Sequence, residues 1–212
     1  MMQTDDLIAH LAAEAAPQPF VPRRIGALAV ASILGPVAAF LLVAGVRPDL
    51  SAAWSNPVVP LKTILPLVIC ALSLSVLLRL ARPGRRAGAP GWLLLAPVLA
   101  AALVWLGAFV LRAPAERFAE VGPASVGECL GAILVLSVLP ATVLMRLLRQ
   151  GAPTRPALSG ALIGLTAATG VATGYSLFCT QDNPLFFVSW YGFGILAVTA
   201  VGAVIGKRAL SW

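Results

Sequence analysis

Cys129 and Cys179 stand at equal sequence distance, 25 residues, on either side of Thr154. Thr154 lies in a short loop, Gly151-Ala152-Pro153-Thr154-Arg155-Pro156, between two long apolar runs. If those runs form an antiparallel helical hairpin, residues equidistant from the turn share one height. The two thiols then sit level with one another on neighbouring helices. Such a pair can be oxidised to a disulfide, given Cα atoms roughly 4.4–6.8 Å apart, or can hold a thiophilic metal. Glu128 and Asp182 are close by in sequence and could add oxygen ligands. Two small apolar residues at helix ends, or a static structural disulfide, would show the same spacing. The third cysteine, Cys70, falls in the middle of another apolar run, where packing is the expected role.

A second group of residues lies in the polar N-terminal segment. Thr4 or Asp5 can cap a helix, and Asp5 and Asp6 in its first turn suit the helix dipole. Leu7, Ile8, Leu11 and Ala15 fall on one stripe, and Pro17 stops the helix. About three turns are marginal alone in water, so such a helix needs something to dock on. Helices that lie on membranes favour lysine and arginine on their polar face, whereas this one carries acids. The pattern favours a protein partner with an apolar groove and a basic rim. A segment resting on the membrane or lacking structure is the plain alternative.

The elements that must position these residues follow from composition. The chain has 212 residues, 59% hydrophobic and 11% charged, with a mean hydropathy of +0.93. A water-soluble domain carries about 25% charged residues, so most of this surface belongs in lipid. Six apolar runs, at 25–46, 61–78, 91–111, 126–148, 157–178 and 185–205, are long enough to cross most of a bilayer's roughly 30 Å core. Backbone groups in lipid must pair within their own segment, so the expectation is an all-α polytopic membrane protein. It divides into a cytoplasmic tail, residues 1–24, and a six-helix bundle, residues 25–212. Pro36, Pro66 and Pro140 fall inside the runs and are expected to kink them.

Orientation follows from the basic residues. Eleven of the 15 lie on one side: Arg23, Arg24, Arg79, Arg82, Arg85, Arg86, Arg146, Arg149, Arg155, Lys207 and Arg208. Arg47, Lys62, Arg112 and Arg117 lie on the other. The first side is expected to be cytoplasmic, with both termini there and the thiols opposite. Lys62, Arg79, Glu128 and Arg146 fall near the ends of runs, where they can snorkel. The pairs Gly160/Gly164, Gly170/Gly174 and Gly202/Gly206 predict close packing of the last three helices.

Several chemistries are disfavoured. One histidine, His10, and no CxxC pair leave the usual zinc frameworks without ligands. No nucleophile–base pairing or phosphate loop points to an enzyme, and no resident cofactor is implied. The positive charge is clustered as topology signals are, without the aromatic interleaving of a nucleic-acid surface, so no direct nucleic-acid contact is expected.

The opening Thr4-Asp5-Asp6-Leu7-Ile8, the segment Arg47-Pro48-Asp49-Leu50, the loop 151–156 and Cys179-x-x-Asp182-x-Pro184-Leu185-Phe186, followed by Trp190-Tyr191-Gly192, occur in this order. Over essentially the whole chain they resemble the NrsF-like membrane anti-sigma factors, negative regulators of an extracytoplasmic-function sigma factor. The resemblance implies an inner-membrane protein whose cytoplasmic tail holds the sigma factor away from RNA polymerase. It implies sigma-binding roles for Asp5, Asp6 and Leu7, to which the apolar stripe adds Ile8 and Leu11. It also implies that Cys129 and Cys179 release the sigma factor under oxidative or heavy-metal stress. One departure is Gln181, where the family often has an acid, and this counts against chelation through two loop carboxylates. The competing class is a small membrane transporter or thiol redox carrier; a homo-oligomer is left open.

Overall fold

The computed structural model describes Thr4, Ile8 and residues 21–82, 84–119, 121–151 and 153–211. Among these residues the regular structure is helical, with no strand. The helices are α1 (Pro22–Ala44), α2 (Leu50–Ala53), α3 (Val58–Leu80), α4 (Ala89–Leu93), α5 (Leu95–Leu111), α6 (Pro123–Leu148), α7 (Pro156–Tyr175) and α8 (Pro184–Ala209). Six spans are long and apolar enough to cross a membrane, α4 and α5 together making the third.

Proline sets where several of them begin. Pro22, Pro123, Pro156 and Pro184 each occupy the first helical position. There the missing N–H costs nothing and the fixed φ is already helical. At α8 the side chain of Asn183 adds a cap, accepting from the Leu185 N–H at 3.0 Å. The helices begin two to three residues earlier than the apolar runs suggest at α1, α3, α4 and α6. α8 continues past its run to Ala209 through Lys207 and Arg208, while α7 ends at Tyr175, three residues short of the expected Phe178. Pro36, Pro66 and Pro140 lie within helices that continue through them.

Antiparallel succession gives the bundle two ends. The arginine-rich end holds Val21, residues 81–82 and 84–88, residues 149–151 and 153–155 between α6 and α7, and Leu210. The cysteine end holds residues 45–57, 112–119, 121–122 and 176–183. A buried cluster lies toward each: Ile25, Val76, Leu77, Leu144, Leu148 and Ile163 at the first, and Cys129, Ile133, Ala172, Tyr175, Cys179 and Tyr191 at the second.

α7 is the centre of the molecule. Its mean hydropathy, 1.4, is the lowest of the six spans, yet 72% of it is buried, against 44% or less for every other span. Small residues make this possible. A Cβ on Gly160 would overlap the Gly202 carbonyl oxygen, and one on Gly202 would overlap that of Gly160. Those two glycines hold α7 against α8 with backbones touching. Gly170 and Gly174 face elsewhere, with Ile33 and Val37 of α1 filling the space beside them. Close packing therefore reaches beyond the last three helices to α1. It also reaches α3, where Ser73 Oγ and Thr166 Oγ1 share a 2.9 Å hydrogen bond and the Cys70 thiol donates to the Thr166 carbonyl at 3.4 Å.

In the N-terminal segment, Ile8 is helical and 58% exposed. Asp5, Asp6, Leu7, His10 and Leu11 lie outside the described residues.

Candidate functional site

Cys129 opens the second turn of α6, and Cys179 lies just past the end of α7. Both are buried, with 0% and 5% exposure, and both belong to the one cluster at the cysteine end. The equal-height argument thus places them in the same small volume. Both are free thiols. Tyr175 and Tyr191 close around Cys179, their ring centroids 5.8 Å apart.

The Cys179 loop is held by an ionic network. Arg47, just past the end of α1, is 5% exposed. Its guanidinium donates to Asp49 at 2.8 and 2.9 Å and to Asp182 at 2.8 and 2.9 Å, two bidentate pairs from one side chain. It also donates to the Cys179 carbonyl at 3.3 Å, and its backbone N–H donates to the Leu177 carbonyl at 3.0 Å.

Lys62 of α3 approaches the same loop from the other side. Its ammonium donates to the carbonyls of Cys179 at 2.6 Å and Gln181 at 3.2 Å, and to Asp182 Oδ1 at 2.6 Å. Those partners use all three of its donors. Two cations therefore face two carboxylates, and the carbonyl of Cys179 is one of the acceptors. Asn183 ties in a further loop, donating to the Arg117 carbonyl at 2.9 Å.

Lys62 departs from expectation. Near the start of its run it was expected to snorkel to water, but it is fully buried and serves as an internal cross-link. The reason is Asp182, which supplies a counter-charge deep enough that reaching water gains nothing. Burial alone would raise the Asp182 pKa, but the hydrogen bonds from Arg47 and Lys62 outweigh it and hold the carboxyl below its ordinary value. Hydrogen bonding from Arg47 likewise lowers Asp49, and the Asp49 and Asp182 contacts raise Arg47 further.

A cavity of about 220 Å³ opens beside this network, lined by Arg47, Ser125, Glu128, Tyr175 and Cys179 among others. Cys179 forms part of its wall and Cys129 does not. A larger apolar groove, about 280 Å³, runs between α6, α7 and α8 and contains neither thiol nor charge.

The residues suited to metal are only partly gathered. Glu128 is exposed at the cavity, and both Asp182 oxygens are engaged by Arg47 and Lys62. Among the described residues no three His, Cys, Asp or Glu side chains cluster closely enough to hold an ion. The two thiols share a buried cluster, and Asp182 could turn to a ligand only by leaving its cations.

Sequence reasoning passed over Arg47 and Lys62 as functional residues. The available signal was a matched set, two basic and two acidic residues at the ends of apolar runs on one side. Their separation, 120 to 135 residues between Asp182 and its cations, hid the pairing.

Residues 11–212 match the family model described as NrsF, negative regulator of sigma F. The chain belongs to the NrsF family. It is 37% identical over 218 residues to the anti-sigma-F factor NrsF of Caulobacter vibrioides, covering all of both chains. It is 34% identical over 217 residues, again end to end, to the probable anti-sigma-F factor NrsF of Azospira oryzae. The family is one of regulators rather than enzymes, and a sigma factor is the partner it implies. No solved structure matches the chain significantly.

Proposed function

We propose that this protein spans the bacterial inner membrane with both termini in the cytoplasm and holds an extracytoplasmic-function sigma factor through its N-terminal segment. Leu7, Ile8 and Leu11 supply the apolar contact, and Asp5 and Asp6 meet basic residues of the sigma factor. Cys129 and Cys179 are the sensor. On oxidation the two thiols lose two protons and two electrons and one S–S bond forms; a peroxide oxidant is reduced to two molecules of water or alcohol and water. With a thiophilic metal ion the thiols lose their protons and both sulfurs bind the ion.

The observation that carries this reading is the tie between the Cys179 loop and α1. Arg47 bonds the Cys179 carbonyl and Asp182, and Arg47 sits at the outer end of the helix whose inner end leads into the N-terminal segment. A change at the thiols must move or free this loop, and the loop is bonded to the helix that carries the binding segment. Release then requires that the reacted state bind the sigma factor more weakly than the resting one, since a signal acts only through differential affinity. A transporter or thiol carrier would have no need of this link.

The test is co-purification from source cells, with bound proteins identified by mass spectrometry. The native chain should retain a sigma factor, and the Asp5→Ala, Asp6→Ala, Leu7→Ala variant should not. Cys129→Ser with Cys179→Ser should retain it and keep it after oxidant or cadmium treatment. Release from that double variant would end the cysteine switch, and absence of any sigma factor from the native protein would end the whole reading.

A further inference from the structure

We infer that the arginine-rich end carries a binding site for a phosphate headgroup of anionic phospholipid, formed by Arg79, Arg82 and Arg85 over Pro22 and Leu78. These five residues line a cavity of about 150 Å³ where α1 begins and α3 ends. Three arginines from the end of α3 and the loop after it line this cavity. Among the described residues none of the three takes part in an ion pair, and the described acids, Asp49, Glu116, Glu128 and Asp182, all belong to the cysteine end. Among the described residues the positive charge at this cavity has no acidic partner.

The loop is shaped around one of these arginines. Gly88 has φ +66°, and a Cβ there would lie 2.7 Å from Arg79 Nη1. The positive φ favours glycine at this position, and the turn brings the backbone beside the Arg79 guanidinium.

The floor of the cavity is apolar. Pro22 and Leu78 form it, and Leu78 Cδ1 is 3.5 Å from the position of a Cβ on Gly26, so a seam between α1 and α3 runs down from the cavity. Arginines above an apolar seam suit an amphiphile, its phosphate on the guanidinium forks and its chain along the helices. Inorganic phosphate shares the headgroup chemistry but has no use for the seam. The carboxylates of Asp5, Asp6 and Glu14 are the other anions at this end of the chain. A carboxylate occupies one guanidinium fork, whereas a phosphate can accept from several at once.

The site lies at the root of the N-terminal segment, because Pro22 is both the first residue of α1 and part of the cavity wall. A bound headgroup would set where that segment leaves the membrane surface. The inference rests on the membrane placement proposed above.

The experiment uses the full chain in nanodiscs of phosphatidylcholine doped with phosphatidylglycerol, followed by native mass spectrometry of retained lipid. Arg79→Gln with Arg82→Gln and Arg85→Gln should lower phosphatidylglycerol retention about tenfold or more. Arg146→Gln with Arg149→Gln and Arg208→Gln removes the same charge from the same end and should lower it far less. Thermal unfolding of both variants identifies any loss that comes from misfolding, in which case single Arg→Lys changes, which keep charge but lose the fork, take their place and should each weaken retention. Equal loss in the two triple variants would reduce the site to general surface attraction and overturn it. Displacement of the lipid by millimolar inorganic phosphate would reassign the cavity to the free ion. Stronger retention after removal of residues 1–20 would reassign it to the chain's own carboxylates. A chain that leaves the nanodisc altogether would overturn the membrane placement along with the site.

Discussion

Asp182→Asn should be the most damaging single substitution at the cysteine end. The carboxylate accepts from Arg47 twice and from Lys62 once, and its side chain is 25% exposed while that of Lys62 is 0%. The amide keeps the size and removes the charge. Arg47 retains Asp49, but Lys62 is left with neutral acceptors alone, the carbonyls of Cys179 and Gln181 and at best an amide oxygen, and loses its hydrogen-bonded counter-ion. Breaking one side of a buried pair costs about 3–5 kcal/mol. The partial exposure of Asp182 and the second partner of Arg47 bring the expectation down to about 2–3 kcal/mol. In a chain of this size that is a fall of roughly 5–10 °C in Tm, measurable on detergent-solubilised protein. Adding Lys62→Met removes the stranded charge and should recover at least about 1 kcal/mol, because ion pairs replaced by apolar groups of similar volume are often neutral. A Tm within 1 °C of native for Asp182→Asn, or no recovery on adding Lys62→Met, would refute the claim that this network holds the loop.

Acid should weaken the same end. The Asp182 pKa lies below its ordinary value of 3.8 in the folded protein, so its contribution is complete above that value and is lost as pH falls through the folded one. Tm should therefore decline below about pH 4, and less steeply in Asp182→Asn; parallel profiles would count against it. Between α7 and α8, Gly160→Ala should cost about 1–3 kcal/mol, since its Cβ would meet backbone atoms that cannot rotate away. Gly107→Ala on α5 has open space around it and should be neutral or stabilising by up to about 1 kcal/mol, so equal effects on Tm would contradict the packing described.

Hydropathy made the six spans legible because a backbone in lipid has one economical solution, and each span is long enough to adopt it. The equal spacing of Cys129 and Cys179 about Thr154 was legible for the same reason, since an antiparallel hairpin turns sequence distance into height. The ionic network was not. Nothing local marks Lys62 as buried; its environment is decided by Asp182, which reaches it only after α3, α7 and α8 have packed. The central position of α7 was half visible in its glycines, but their partners are chosen by tertiary packing, and Gly170 and Gly174 turn to α1 rather than α8. Leu177 and Phe178 extend the fifth apolar run beyond its helix because hydropathy does not register a turn, here closed by the Leu177 N–H to the Gly174 carbonyl and the Phe178 N–H to the Tyr175 carbonyl.

The burial of α7 also bears on the order in which the protein can be made. Thr166, Thr169 and Thr173, with four glycines, would be a poor face to offer lipid alone, and in the finished bundle α1, α3, α6 and α8 cover them. Of those four neighbours, three are synthesised before α7 and only α8 follows it. A nascent chain leaving the ribosome N-terminus first thus has most of a receiving cleft assembled when its least apolar span emerges. Moving α7 to the front of the chain by circular permutation would keep every native contact yet remove that shelter, so the present order of the helices is itself part of how this sequence reaches its fold.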